Sequence, residues 1–417
     1  MSSSASNSGL AAAAGLRPWI TASEFAAGRE PYAAIIGGLR KSVAHLKRVV
    51  VKVGSNLVSG GADSGVDGDF LARLADQIAR LRQSGVEVLL VSSGAISAGT
   101  RTMKLAAKPT ALPERQAIST IGQVALIDAY QRVFQAHGIP VGQVLLTRTS
   151  TTDRSRYLNA RNALNALLTM GAIPVINEND AVATEEILFG DNDQLSANVA
   201  LLSGSEALII LTDRGGLLTA DPAKHPDAER IAGVAEFNDE LMSLAGPSNS
   251  GVGTGGMQTK VSAARMVTRS GEICLVADGR APEVLPRLMA GEDIGTLFAP
   301  IDRKLHPRKR WLAFGLLSRG IVVIDAGAVE ALQAGKSLLA RGVREVKSTD
   351  GFDVGDMILI VDPEGREVAR GLTHYKAADL ARIKGLKTGE IEAALGRKTF
   401  DEVVHRDNLV LMQSSSG

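Results

Sequence analysis

Two lysines are placed where only chemistry would want them. Lys52 interrupts the valine run Arg48 to Val53 (RVVVKV), which is followed by Gly54-Ser55. A lysine inside a buried strand needs a partner or a task. Lys260 closes the glycine-rich stretch Ser250 to Lys260 (SGVGTGGMQTK) and opens an apolar-periodic helix over Val261 to Arg269. Between the two lie polar knots: Ser92-Ser93-Gly94, Asn177-Glu178-Asn179-Asp180, Gly190-Asp191-Asn192-Asp193 and Thr212-Asp213. Read singly, the Asn- and Asp-rich knots are turns, which those residues favour for local reasons. Read together, two cations, several glycine turns and a group of Asp and Asn residues suit phosphoryl transfer from a nucleotide. There the protein positions the groups and neutralises charge rather than forming covalent bonds.

No His or Cys is central to this set, and none is needed if the acceptor is a carboxylate. With a pKa of about 4.3 it is ionised at neutral pH, so no general base is required. The difficulty is repulsion. Two unit negative charges about 4 Å apart cost roughly 4 kcal/mol at an effective dielectric of 20. Lys52, Lys260 and a magnesium ion would offset that, with the acidic and amide cluster left to bind an ammonium group. No side chain is assigned as a metal ligand. Two nucleotide motifs are absent. Gly251, Gly253 and Gly256 satisfy G-x-G-x-x-G, but the preceding LAGPSN is loop-like, whereas a dinucleotide fingerprint follows a strand. Gly335-Lys336-Ser337 has Glu330 where a Walker A loop needs glycine.

These residues fall at the ends of regular elements. Strands are expected at Arg48 to Val53, Glu87 to Val91, Val141 to Leu146, Ala172 to Ile176 and Ala207 to Leu211. Helical spacing covers Phe70 to Arg82, Pro113 to Ala136, Asp153 to Met170 and Leu195 to Leu202. Strands alternating with helices at this pace imply an α/β fold around a largely parallel, doubly wound sheet. Ligands of such sheets sit beyond the carboxyl ends of the strands. Short strands at Ile321 to Ile324, Val343 to Val346, Met357 to Val361 and Glu367 to Leu372, after a basic linker at Ile301 to Arg310, imply a small β-rich second domain.

The 417 residues are 45% hydrophobic but only 4% aromatic, with 44 glycines, a mixture that suits tight strand-to-helix turns. A formal net charge of +1 gives no strong pull toward nucleic acid or a membrane surface. No run of 18 apolar residues predicts a transmembrane helix. Cys274 is the one cysteine and reads as a buried strand residue, which fits a reducing cytoplasm. Residues 1–45 read as an N-terminal extension without a signal peptide, disordered apart from a helix at Tyr32 to His45.

The segments VVVKVGSNLV, VLLVSSGAISAG, LLTRTSTTDRSRYLNARNAL, AIPVINENDAV, GDNDQLSANVA, LTDRGGLLTADP and GVGTGGMQTK resemble the glutamate 5-kinase branch of the amino acid kinase family. Arg308 to Val410, including RKRWLAFG and VVHRDNLV, is similar to the PUA domain that such enzymes carry. The resemblance implies a three-layer αβα sandwich over 46–302 and a PUA domain over 308–412. It implies ATP-dependent phosphorylation of the side-chain carboxylate of L-glutamate, with Mg2+, as the first step of proline biosynthesis. By position it makes Lys52 and Lys260 phosphate contacts and Asp193 their organiser. Ser93, Asp180, Asn192 and Asn177 would hold glutamate. Gly54, Thr212, Asp213 and the run Thr254, Gly255, Gly256, Met257, Gln258, Thr259 and Lys260 would hold ATP. Inhibition by proline, a homodimer or homotetramer, and a separate glutamyl phosphate reductase for the labile product are further implications.

Leu218 departs from the family, which usually shows an aromatic residue there, and the N-terminal extension has no counterpart. Acetylglutamate kinases and aspartokinases are rivals within the class. They typically open on Lys-x-Gly-Gly, where this chain has Lys52-Val53-Gly54-Ser55. RNA binding through the PUA domain is disfavoured by the slight basic excess from Arg303 onward. A regulatory module that had lost catalysis would not need both lysines and the Asp/Asn cluster.

Overall fold

Runs of β-branched residues too short for helices become the strands of one nine-stranded sheet. The computed structural model describes residues 17–30, 32–59, 65–147, 154–182, 192–246, 256–301, 318–348, 351–396 and 400–412. The strands are β1 Trp19–Thr21, β2 Arg48–Val53, β3 Glu87–Ser92, β4 Val141–Leu146, β5 Ile173–Glu178, β6 Ala207–Thr212, β7 Ile231–Val234, β8 Ile273–Asp278 and β9 Thr296–Phe298. Their order is β1-β7-β9-β8-β6-β2-β3-β5-β4. The run from β8 to β4 is parallel throughout, while β9 and β1 each pair antiparallel with a neighbour. β2 is therefore central, and Lys52 stands in register with Val91 on one side and Ile210 on the other.

The helices are α1 Ala22–Ala26, α2 Tyr32–Val43, α3 Ser55–Val58, α4 Gly68–Gln83, α5 Ala95–Thr102, α6 Leu112–Gln135, α7 Arg154–Thr169, α8 Asn192–Ser203, α9 Asp239–Leu244, α10 Met257–Arg269 and α11 Val284–Met289. Alternation along β2 divides the two faces. Val49, Val51 and Val53 join a core with Phe70, Leu74 and Ile78 of α4 and with Leu126, Tyr130 and Phe134 of α6. Val50 and Lys52 point to the other face, where α8 and α10 lie. Helices on both faces of a mostly parallel sheet make the expected three-layer αβα sandwich.

Two glycines decide where α6 runs. A Cβ on Gly99 of α5 would lie 1.9 Å from the Ile118 carbonyl oxygen. One on Gly122 of α6 would lie 1.8 Å from the Ala95 oxygen and 2.3 Å from the Gly99 nitrogen. The two helix backbones touch there, and nothing larger fits. Elsewhere, Gly94 takes φ +109° between β3 and α5, a left-handed turn that leaves Ser93 at the strand's end.

The expected disorder does not hold for residues 17–30, while the helix expected at Tyr32 to His45 is present as α2. β1 extends the sheet along β7, and α1 starts on a capping box between Thr21 and Glu24. α2 buries Tyr32, Ile36 and Val43 in the main core. Its Arg40 donates to the carbonyls of Ala232 (2.9 Å) and Glu292 (2.6 Å) and pairs with Asp293 at 2.9 Å. The composition of residues 1–16 suggested a loose tail, but the strand and helices after them carry enough apolar side chains to dock. Residues 1–16 lie outside the described set.

The chain divides into two compact units, Met1–Lys304 and Leu305–Gly417. The second holds a five-stranded sheet in the order β11-β10-β12-β13-β14, with β10 Gly320–Ile324, β11 Val343–Lys347, β12 Met357–Val361, β13 Glu367–Leu372 and β14 Leu409–Leu411. It closes on its own core of Val322, Ile324, Ile358, Ile360 and Leu380. No described helix in either unit is long and apolar enough to cross a membrane.

Candidate active site

The parallel sheet gathers its polar residues at the carboxyl ends of β2, β3, β5 and β6. Lys52 is 2% exposed, Lys260 6% and Asp193 0%. Lys52 Nζ reaches Asp193 Oδ1 at 2.5 Å, and Lys260 Nζ reaches Asp193 Oδ2 at 3.1 Å. The two lysines are 208 positions apart in the chain, yet they share one carboxylate. Thr259 Oγ1 also donates to Asp193 Oδ2 at 2.8 Å. Asp193 is thus held on both oxygens, and it lies in the first turn of α8, where the helix dipole favours a negative charge.

Beside it runs a relay of amides. Asn192 Nδ2 donates to the Ser92 carbonyl (3.0 Å), to Ser93 Oγ (2.8 Å) and to Asn177 Oδ1 (3.0 Å). Asn177 Oδ1 also accepts from the Glu178 amide at 2.9 Å, and Asn177 Nδ2 donates to Gln123 Oε1 at 2.8 Å. One turn earlier on α6, Ser119 Oγ donates to Asp180. Burial pushes the Asp180 carboxyl above its ordinary range, and the Ser119 hydrogen bond and the Arg115 charge pull it partly back.

At the ends of β2 and β6, the Gly54 amide donates to the Leu211 carbonyl at 3.1 Å. Asn56 Nδ2 donates to Asp213 Oδ2 at 2.9 Å, and Thr212 Oγ1 to Asp213 Oδ1 at 3.2 Å. Burial alone would raise the Asp213 pKa. The bonds from Asn56 and Thr212 and the Arg214 charge outweigh it, and the carboxyl is held below its ordinary range. Cys274 is fully buried in β8. Burial and the nearby Asp193 charge keep its thiol protonated, so it takes no part as a nucleophile.

The structure brings together Lys52, Lys260, Asp193 and Thr259 at one point, and Ser93, Asn177 and Asn192 at the next. Gly256, Met257 and Gln258 form the N-cap and first turn of α10, which delivers Lys260. Asp191, Thr254 and Gly255 lie outside the described residues. Two placements differ from expectation. Asn177 and Glu178 belong to β5 itself, and Asn192 and Asp193 belong to α8 rather than to a loop before it. Regular backbone hydrogen bonds therefore aim these side chains. Ser119, Gln123 and Asn56 were missed by the sequence reading. The available signal was a polar pair at i, i+4 among the buried positions Ile118, Gly122, Leu126 and Tyr130 of α6.

Among the described residues no group of three or more His, Cys, Asp or Glu side chains could hold a metal. Asp193 already spends both oxygens on lysines and Thr259.

A model of the amino acid kinase family matches residues 47–278, and one of the PUA domain matches residues 320–395. β1, α1 and α2 precede the first match. The chain is 49% identical over 376 residues to the glutamate 5-kinase of Cupriavidus metallidurans, covering 90% of this chain and 100% of that protein. It is 48% identical over 373 residues to the glutamate 5-kinase of Trichlorobacter lovleyi, covering 89% and 98%. To that of Thioalkalivibrio sulfidiphilus it is 46% identical over 374 residues, covering 89% and 99%.

Proposed function

The chain belongs to the amino acid kinase family, and on that footing we propose ATP-dependent phosphorylation of the side-chain carboxylate of L-glutamate to L-glutamyl 5-phosphate, which opens proline biosynthesis. The observation that carries the reading is the meeting of Lys52 and Lys260 on Asp193, beside the relay of Asn192, Asn177 and Ser93.

A carboxylate oxygen of glutamate attacks the γ-phosphorus of ATP. The bond between that phosphorus and the β–γ bridging oxygen breaks, and ADP leaves with the bond's electrons. No proton has to move. Lys52 and Lys260 stabilise the charge shared by the acceptor and the transferring group. Asp193 compensates one of those two positive charges and fixes both ammonium groups in advance. A magnesium ion bound with the nucleotide would supply further charge neutralisation. Gly54, Thr212, Asp213 and the segment from Gly256 to Lys260 hold the nucleotide, Thr254 and Gly255 being the outlying part of that proposal. Ser93, Asp180, Asn192 and Asn177 hold the amino acid. Inhibition by proline and assembly as a dimer or tetramer stand as further proposals, open to inhibition kinetics and light scattering.

The test is ADP release with L-glutamate, L-aspartate and N-acetyl-L-glutamate in parallel, with hydroxylamine present to trap an acyl phosphate as the hydroxamate. Glutamate alone is expected to give both signals. ADP release without hydroxamate, or a preference for N-acetylglutamate, refutes the assignment.

A further inference from the structure

The amide relay of the site has a definite polarity. The Ser92 carbonyl can only accept, so the group of Asn192 facing it must be Nδ2. That same Nδ2 faces Asn177 Oδ1, which also takes the Glu178 amide, a group that can only donate. Asn177 therefore turns Nδ2 to Gln123, and Gln123 answers with Oε1. Every amide orientation is fixed by a backbone group at one end of the chain of bonds.

The relay leaves two buried atoms unspent: Gln123 Nε2 and Asn192 Oδ1 have no hydrogen-bond partner among the described residues. Gln123 is 8% exposed. A buried amide donor with no partner costs about 1–3 kcal/mol, so a donor left open in a satisfied network implies a guest. One atom is a donor and the other an acceptor. Beside them stands Asp180, a second acceptor, held by Ser119 one helical turn from Gln123.

We propose that Gln123 is a substrate-binding residue: its Nε2 donates to the α-carboxylate of the acceptor amino acid, while Asn192 Oδ1 and Asp180 take the ammonium group. The inference rests on the amino-acid kinase reading of this site and adds to it the residue that reads the α-carboxylate. The zwitterionic head of an α-amino acid presents an anion and a cation on one carbon, and the relay offers one unmatched donor against two acceptors. α6 is able to serve as this floor because Gly99 and Gly122 let it lie against α5 with no slack. The side-chain carboxylate of the substrate is then left to extend toward Lys52 and Lys260.

Gln123→Glu in the full chain is the test. It keeps an oxygen for Asn177 Nδ2 and replaces the spare N–H with a negative charge. KM for L-glutamate is expected to rise roughly 10- to 100-fold, as for a lost hydrogen bond to a charged group. KM for ATP should stay near that of the parent, while the newly buried carboxylate is expected to lower the melting temperature whatever the role of Gln123. 4-Aminobutyrate lacks the α-carboxylate, so its equilibrium affinity by calorimetry should not fall in the variant. A purely structural Gln123 would instead move both KM values together. Should Gln123→Glu fail to fold, Gln123→Met keeps the length, lacks both the donor and the acceptor for Asn177 Nδ2, and must show the same loss for L-glutamate with KM for ATP unchanged. A KM and an affinity for L-glutamate within about threefold of the parent in either folded variant overturn the proposal. A parent enzyme that binds glutamate but releases no ADP would refute the kinase reading alone. The calorimetric comparison would still decide Gln123.

Discussion

Asp193 has no solvent to share its charge, and that sets the behaviour of both lysines. With Lys52 and Lys260 on separate oxygens, removing either lysine leaves the carboxylate paired with the other. Removing Asp193 leaves two ammonium groups buried around a gap, a change of the kind that costs about 3–5 kcal/mol. Lys260→Ala should therefore fold with a near-normal melting curve while kcat falls roughly 10²–10³-fold, the usual loss for one preorganised charge-stabilising group. Steady-state kinetics beside calorimetry check this, and an active Lys260→Ala enzyme would remove the lysine from the mechanism. Asp180 adds a pH dependence. Its pKa is raised, first by burial, and only the ionised form attracts an ammonium group. Affinity for glutamate should fall as pH drops through that raised value, at higher pH than an ordinary aspartate near about 3.9 would give. Stability runs the other way: protonation favours the native state, and that advantage is lost as pH rises through the folded value. Ser119→Ala removes a bond that lowers the pKa, so the acid limb of kcat/KM for glutamate should shift to higher pH. An unmoved limb would show that Asp180 does not titrate in substrate binding.

Elements, rather than loops, do the aiming. β5 presents Asn177, α8 presents Asn192 and Asp193 from its first turn, and α10 presents Thr259 and Lys260 from its own. Two helix starts converge on one carboxylate, so the site inherits the stiffness of the sandwich. The same scale decides the fate of the N-terminal segment. β1 covers the edge that β7 would otherwise expose, and α2 lays Ile36 and Val43 on the core. Burying such a side chain contributes about 1.5–3 kcal/mol before entropy is subtracted. Deleting residues 1–16 should leave the melting temperature unchanged, whereas deleting residues 1–45 should lower it by more than about 5 °C, since a net 1 kcal/mol shifts a unit of this size by roughly 2–4 °C. Differential scanning calorimetry distinguishes the two. Equal melting temperatures for both deletions would mean that the segment packs without stabilising.

At the scale of the whole molecule, every described residue of the site lies in the first unit, and the second closes on a core of its own. A chain ending at Lys304 should fold and retain glutamate-dependent ADP release. A folded fragment without activity would make the PUA unit part of the catalytic assembly. Most of the architecture could be read from local patterns, because a parallel strand buried on both faces shows as a continuous apolar run and an amphipathic helix as a 3.6-residue stripe. The valines of β2, the stripe of α4 and the short strands of the second unit fell within a residue or two of their observed bounds. The lysines and the Asp/Asn knots also stood out, since polar residues beside apolar runs need a reason. Three things did not show in local pattern, although the family resemblance already implied that Asp193 organises the two lysines. β1 is three residues long, too short to carry a period. Ser119 and Gln123 look like ordinary helix residues until the touching glycines of α5 and α6 turn that face inward. The sharing of Asp193 by lysines from β2 and α10 depends on which strands are neighbours and how two helix starts converge. One-dimensional periodicity records which face a residue prefers, whereas the partner it meets there is set by packing between elements far apart in the chain.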